Sequence, residues 1–265
     1  EGIYVASGKN IVQLNKNGEI KKNFLTGLSL VQPFLDEKTL YVATLREGVK
    51  AFDLKTKKEI WSTSLTKNKV NARVWSGFSF DKETNSLFVV TSNPGGIIGE
   101  NRSGDDFSAS LISIDADTGK IKWQFKHVVN DLWDFDLISN PIIVKNLKIH
   151  NKKEPVNCVI ALSKTGDVIM VNIDSGLPVF DNSYVDVSVQ KSDMKNVYTP
   201  STQKFYLKPE KFSNIEVDLD NDFDHLEKDN LDFMKNKLRH AKSGFYIPTS
   251  VNHDVVVYGL HGGAE

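Results

Sequence analysis

Four segments of this chain repeat one pattern, and that repeat limits the fold more than any other feature. They are IVQLNKNGEI, VKAFDLKTKKEIW, LISIDADTGKIKW and VIMVNIDSGLPVF. Each runs through alternating apolar residues to an Asp or Asn, then a short polar turn, then a second strand-like run. Alternation with a period of two marks a strand with one face buried. The turn holds Gly18, Gly119 and Gly176 in three copies and Lys57 in the other. Glycine suits such a hairpin because it takes positive φ without steric cost. The copies centre near Asn15, Asp53, Asp115 and Asn172. So wide a spacing is one supersecondary unit plus insertions, which points to a propeller or a solenoid. Trp61 and Trp123 close the second strand in two copies, where the last copy has Val179. Both tryptophans are expected to pack between neighbouring sheets and to take no part in chemistry.

Between the copies lie further strand-like runs, YVATL, SLFVVTS, VNCVIALS and HDVVVYG, rich in β-branched and aromatic residues. Two segments break the rhythm. Asn146 to Pro155 reads as a polar hairpin or loop. Asp181 to Ser243 reads as a long insertion, extended and proline-punctuated at first and then acidic. Phe223, Leu226, Leu231, Met234 and Leu238 fall roughly on one helical face, so a short surface helix is expected there. The acidic run VDLDNDFDHLEKD lacks the glycine and terminal glutamate of a calcium loop and reads as a solvated face. The expected fold is thus all-β, with one short helical insertion.

The 265 residues carry a formal net charge of −1, with charges scattered along the chain. That pattern gives neither a nucleic-acid stripe nor a polybasic membrane tail. Cys158 is the single cysteine, so no internal disulfide and no c-type haem motif can form. No apolar run is long enough to span a bilayer. Glu1 opens directly into a strand pattern and HGGAE stops in mid-pattern, so both ends read as cuts within a longer protein.

Three groups carry possible chemistry. Asn130, Asp131, Asp134 and Asp136 surround Trp133, and a carboxylate against an aromatic wall can act as a base or bind a cation. The plainer alternative is loop capping or pairing with lysines. Thr91 to Gly96 follows a strand directly, and the Asn93 carbonyl suits a hard cation, although an ordinary Asn-Pro turn also fits. Lys164 stands at a strand-to-turn junction, where it is either solvated or a source of positive charge for an anionic ligand.

Four longer stretches, in order, resemble the pyrroloquinoline-quinone (PQQ)-dependent dehydrogenases, particularly the membrane glucose dehydrogenase branch. They are WSGFSFDKETNSLFVVTSNP, NRSGDDFSASLISIDADTGKIKWQFKHVVNDLWDFD, VQKSDMKNVYTPSTQKFYLKPEKF and GFYIPTSVNHDVVVYGLHGGAE. The resemblance implies that residues 1–265 are part of an eight-bladed β-propeller, about half of the ring, with residues 181–243 as an insertion. It implies that Trp75 lies flat against the quinone and that Asn93 ligates a divalent cation, Ca2+ or Mg2+. Asp134 would be the catalytic base beside that metal, and Lys164 would contact the quinone oxygens. Asp131 and Asp136 match recurrent positions with a supporting role.

The implied reaction is oxidation of an alcohol or sugar hydroxyl, with electrons passed to an external quinone or cytochrome in or facing the periplasm. Departures from the family pattern are specific. Val42 stands where the methanol-oxidising branch has a metal-binding glutamate, and Asn130 replaces the family histidine. The alternative is a non-catalytic or degenerate propeller of the same repeats that binds partners in the bacterial envelope.

Overall fold

The computed structural model describes residues 2–7, 10–26, 31–44, 48–67, 70–74, 76–92, 106–129, 137, 139–149, 152–163, 168–180, 185–188, 202–205, 244–252 and 255–262. The strands follow the alternating runs of the sequence. Sheet I contains β1 (Ile3–Ser7), β2 (Asn10–Leu14) and β3 (Ile20–Thr26). Sheet II contains β4 (Phe34–Asp36), β5 (Thr39–Thr44), β6 (Gly48–Asp53) and β7 (Glu59–Thr63). A ribbon of β8 (Thr66–Lys67) and β9 (Val70–Asn71) leads to sheet III. That sheet contains β10 (Ser79–Asp81), β11 (Ser86–Val90), β12 (Ser110–Asp115) and β13 (Ile121–Lys126). After β14 (Val128–Val129), sheet IV contains β15 (Ile142–Leu147), β16 (Val156–Leu162) and β17 (Val168–Asn172). Within sheets I to IV all pairings are antiparallel between chain neighbours, the pattern that short hairpins allow.

The repeat of the sequence is a repeat of turns. Gly18, Lys57, Gly119 and Gly176 all have positive φ, at 81°, 61°, 72° and 67°. Each amide donates back to the carbonyl of the Asp or Asn that opens its turn. The side chains of those residues close the turn a second time. Asp115 Oδ1 accepts from the Thr118 amide at 2.9 Å and hydroxyl at 2.7 Å, and Asn172 Oδ1 accepts from the amides of Asp174 and Ser175 at 3.0 Å. An Asx side chain that bonds its own turn competes with strand continuation and so fixes where each strand ends.

The sheets stack face to face in chain order. Along β5, Leu40 and Val42 pack with Ile11 of sheet I, while Tyr41 and Ala43 face Leu87, Val89, Ile112 and Ile114 of sheet III. Along β11 the alternate residues Phe88 and Val90 face Val159, Ala161, Ile169 and Val171 of sheet IV. These strands are buried on both faces, which explains why SLFVV and VNCVIAL read as nearly continuous apolar runs. As expected from the sequence, the two tryptophans join the sheets. Trp61 Nε1 donates to the Ala116 carbonyl at 2.8 Å, and Trp123 Nε1 donates to the Ile173 carbonyl at 3.1 Å. Each indole thus lies on the glycine turn of the next sheet.

Two expectations about the fold are corrected. Among the described residues the sheets form an open series, and none closes into the expected β-propeller. The outer face of sheet IV (Val144, Cys158, Ile160 and Leu162) packs against Val179 and its own partly buried Ile142, Ile149 and Met170, not against sheet I. No helix occurs among the described residues, so the short helical insertion is not found. The part of the 181–243 insertion that is described is β-structure: β18 (Val185–Ser188) pairs with β19 (Thr202–Phe205), and β19 pairs with β14. VDVS alternates with period two, and β14 offers it an edge through β19, so strand pairing satisfies this backbone. Phe223 to Ala241 lies outside the described residues. A final hairpin of β20 (Gly244–Asn252) and β21 (Val255–Gly262) lies beside β16.

Candidate functional site

Trp75, Asn93, Asn130, Asp131, Asp134, Asp136 and Lys164 all lie outside the described residues. Their chain neighbours, however, are described and well connected. Val74, just before Trp75, forms a bridge with Thr91 of the segment that leads to Asn93, and the Ser92 amide donates to the Arg73 carbonyl at 2.8 Å. In the next sheet Leu137, which follows the acidic stretch, forms the same kind of bridge with Ser163, the residue before Lys164. The two sheets are then stitched together at this end. Ser76 Oγ donates to the Ser139 carbonyl at 2.9 Å, the Gly77 amide donates to Asn140 Oδ1 at 2.6 Å, and Ser79 Oγ donates to the Pro141 carbonyl. Ser139 Oγ in turn accepts from the Leu162 amide at 3.0 Å.

The residues flanking all four positions singled out by the sequence therefore belong to one hydrogen-bonded patch. It sits where the first strands of sheets III and IV begin and their second strands end. The topology explains why. In an antiparallel pair the entry to one strand and the exit from the next fall at the same end. Residues 74, 92, 137 and 163 are such entries and exits.

Beneath this end lies a buried polar cluster that the sequence reading did not single out. Thr91, Ser92, Asp106, Ser108, Ser110 and His127 are all buried. Lys126 Nζ meets Asp106 Oδ1 at 2.8 Å, and the two side chains are 12% and 0% exposed. The same ammonium donates to the Ser108 carbonyl at 2.8 Å, and Ser108 donates to Asp106 Oδ1 through both its amide and its hydroxyl. Gln124 Nε2 bridges the Asp106 carbonyl at 2.7 Å and Ser110 Oγ at 2.9 Å. Burying a charge this far from water is costly unless it is paired and hydrogen-bonded, as here. His127 is fully buried, and burial pulls its imidazole down to about 3, so it is neutral at physiological pH.

The other departure noted in the sequence also has a location. Val42 is fully buried with Ile11, Leu40 and Phe52 between sheets I and II. That position is apolar packing and supplies no metal ligand. Among the described residues no group of three or more His, Cys, Asp or Glu side chains is gathered as a metal site. Burial raises the Cys158 thiol to about 11, so it is an inert core residue.

Residues 62–265 match the family model described as PQQ, glucose/ethanol/alcohol dehydrogenase, beta-propeller domain. The chain belongs to this family. Among its curated relatives, a quinoprotein glucose dehydrogenase A of Acinetobacter calcoaceticus is 26% identical over 240 residues, covering 81% of this chain and 29% of that protein. A probable quinate dehydrogenase (quinone) of Xanthomonas campestris pv. juglandis is 30% identical over 133 residues, covering 49% of this chain and 16% of the relative. The chain thus spans less than a third of the length of these relatives. Among solved structures, a europium-containing methanol dehydrogenase matches with a TM-score of 0.57 at 18% identity, covering 75% of this chain and 42% of that one. A quinohemoprotein alcohol dehydrogenase of Comamonas testosteroni matches with a TM-score of 0.55 at 18% identity, covering 74% and 36%. These structural likenesses are ones of fold. The match to several quinoprotein dehydrogenases supports membership of the PQQ dehydrogenase family as a whole and does not single out its glucose-oxidising branch.

Proposed function

We propose that the full-length protein is a PQQ-dependent oxidoreductase that oxidises a hydroxyl group of a small alcohol, sugar or related polyol. Its electrons pass to an external quinone or cytochrome, and the protein works in or facing the periplasm. The observation that carries the reading is the stitched patch flanking Trp75, Asn93, the 130–136 acidic stretch and Lys164, in a chain of this family. The donor types of those four residues suit the cofactor pair. An amide oxygen and a carboxylate are hard ligands for Ca2+ or Mg2+. An ammonium complements the anionic oxygens of a quinone. An indole gives a flat apolar wall for its ring.

A bound quinone and its cation supply a two-electron acceptor with a polarised carbonyl. The chain's own residues have distinct tasks in this reading. Asp134 would accept the proton of the substrate hydroxyl. With Asn93 it would also hold the cation. Lys164 would place positive charge near the quinone oxygens and stabilise negative charge there. Trp75 would offer a flat apolar wall to the ring. Asp131 and Asp136 would have a supporting role. With Val42 apolar, the cation has one protein carboxylate fewer than in the methanol-oxidising pattern, so calcium is expected to exchange readily.

The test is reconstitution of the full-length protein with PQQ and CaCl2, followed by a dye-linked assay across alcohols, sugars and cyclic polyols. Dye reduction with at least one substrate, lost in Asp134→Asn while the quinone absorbance is retained, supports the reading. Absence of both quinone uptake and dye reduction defeats it in favour of a binding scaffold of the envelope.

A further inference from the structure

The Asp106–Lys126 pair ties together the two chain segments on which the proposed cation site depends. Ser92 and Asp106 bound residues 93–105, the stretch that contains Asn93. Their side of the cluster is held by three contacts: the Ala109 amide donates to the Ser92 carbonyl at 2.9 Å, the Ser110 amide donates to Thr91 Oγ1 at 3.0 Å, and the Thr91 amide donates to the Ser110 carbonyl at 2.9 Å. Lys126 ends β13, and the chain continues from it through His127 and β14 directly into the stretch that contains Asp134. The His127 amide donates to the Ala109 carbonyl at 2.8 Å, which joins the two sides again. Asp106 Oδ1 meets Lys126 Nζ across this seam with no water access to the carboxylate. Asp106 Oδ2 is also buried and has no hydrogen-bond partner among the described residues. Replacing buried ions with apolar residues is often neutral for stability. A role in geometry accounts for the pair better than a role in stability.

We propose that Asp106 and Lys126 are positioning residues, a buried clamp that holds Ser92, the residue before Asn93, against His127, which leads into the Asp134 stretch, and thereby tunes the affinity for the divalent cation. This rests on the PQQ-dependent reading above. Neither residue touches substrate or cofactor. Their effect travels through the backbone of Ser92 on one side and of His127 on the other, as outer partners of metal ligands generally act.

The experiment uses the full-length protein and three variants: Asp106→Asn, Lys126→Met, and the double variant Asp106→Asn with Lys126→Met. The double variant leaves no unpaired buried charge and folds where a single one does not. Calcium is titrated into PQQ-loaded protein, following the quinone absorbance and separately the dye-linked rate. Hydrogen exchange of the Ala109, Ser110 and His127 amides is followed without cofactor. The expected result is a loss of calcium affinity of about 10–100-fold, with the rate at saturating calcium preserved and faster exchange at those amides. A lower melting temperature with an unchanged calcium titration overturns the clamp and leaves the enzyme reading standing. Weaker calcium binding without a change in exchange also overturns it, because the effect then does not pass through the seam. If the wild-type protein takes up neither quinone nor calcium, the enzyme reading fails and the clamp falls with it. The wild-type titration thus separates the two failures.

Discussion

At Gly119 and Gly176, the repeat that organises the chain comes down to a contest between backbone strain and close packing. A Cβ on Gly119 would stand 2.7 Å from the Trp61 ring, and one on Gly176 would stand 2.6 Å from the Trp123 ring. Lys57 occupies the corresponding turn at φ 61°, yet it is exposed, and sheet I, which precedes it, has no tryptophan to lay on it. Glycine is therefore required by the indole as much as by the turn. Gly119→Ala is expected to destabilise by about 1–3 kcal/mol, the cost of a strained left-handed residue that also displaces a ring. Lys57→Gly should stay within about 0.5 kcal/mol, since relief of positive φ and the added unfolded-state freedom oppose each other. Thermal unfolding of the two variants checks the contrast. His127 supplies a pH dependence. Its folded pKa lies near 3 because burial opposes the charged form, whereas the unfolded chain titrates near the ordinary value of about 6.5. Below that value the unfolded state binds a proton that the folded state refuses. Stability present at neutral pH is thus lost as pH falls from about 6.5 towards 3, with a limiting slope of about 1.4 kcal/mol per pH unit. Melting temperature measured against pH should fall less steeply on the acid side in His127→Gln.

Between elements, a second ion pair does work unlike that of the Asp106 clamp. Lys145 on β15 reaches the β10–β11 turn, with Nζ 2.9 Å from Asp81 Oδ2 and 3.0 Å from Glu83 Oε2. Asp81 also accepts from the Thr84 amide at 3.1 Å and hydroxyl at 2.7 Å. Burial alone would raise the Asp81 carboxyl, but the hydrogen bonds from Lys145 and Thr84 outweigh it and hold it below the usual carboxylate range. The contribution is therefore present above the ordinary aspartate pKa and fades as pH falls through the depressed one. Lys145→Met should cost about 1–3 kcal/mol, because Asp81 keeps only its local partners, while Glu83 is exposed and worth little. A double-mutant cycle with Asp81→Asn measures the pair directly. A coupling near zero would show that the apolar contacts between sheets III and IV suffice.

For the molecule as a whole, stability is shared along the stack, because three of the four apolar clusters join two adjacent sheets. Trp123 packs with Phe88 at a ring separation of 5.6 Å and with Val159, Ile169 and Val171 from the neighbouring sheet. Removing it opens a cavity common to both sheets, and such large-to-small changes cost about 3–5 kcal/mol. Trp123→Ala is thus expected to speed hydrogen exchange in β11, β12, β16 and β17 together and to leave β5 and β6 less affected. Exchange confined to β13 would mean that the sheets unfold independently. In stacked repeats, the interfaces and not the units carry cooperativity.

What the amino-acid order alone determined was local. Period-two alternation set the strands, the Asx and glycine pairs set the turns, and Trp61 and Trp123 were legible as packing residues because a large apolar ring at a strand end needs a neighbouring sheet. The short helical insertion was expected at Phe223 to Ala241; no helix occurs among the described residues, and β18 and β19, in the stretch read as extended, are strands. The local reading went astray over the half-ring of a propeller, since the described sheets form an open series and what the outer face of sheet IV meets is encoded by no local pattern. The flanks of Trp75, Asn93, Asp134 and Lys164 were brought together by antiparallel register and by Ser76, Ser139 and their partners, contacts between residues distant in sequence. Asp106 and Lys126 were invisible for the same reason. A charge reads as solvated from its own neighbours, and only packing from a distant strand takes its water away and makes its partner matter.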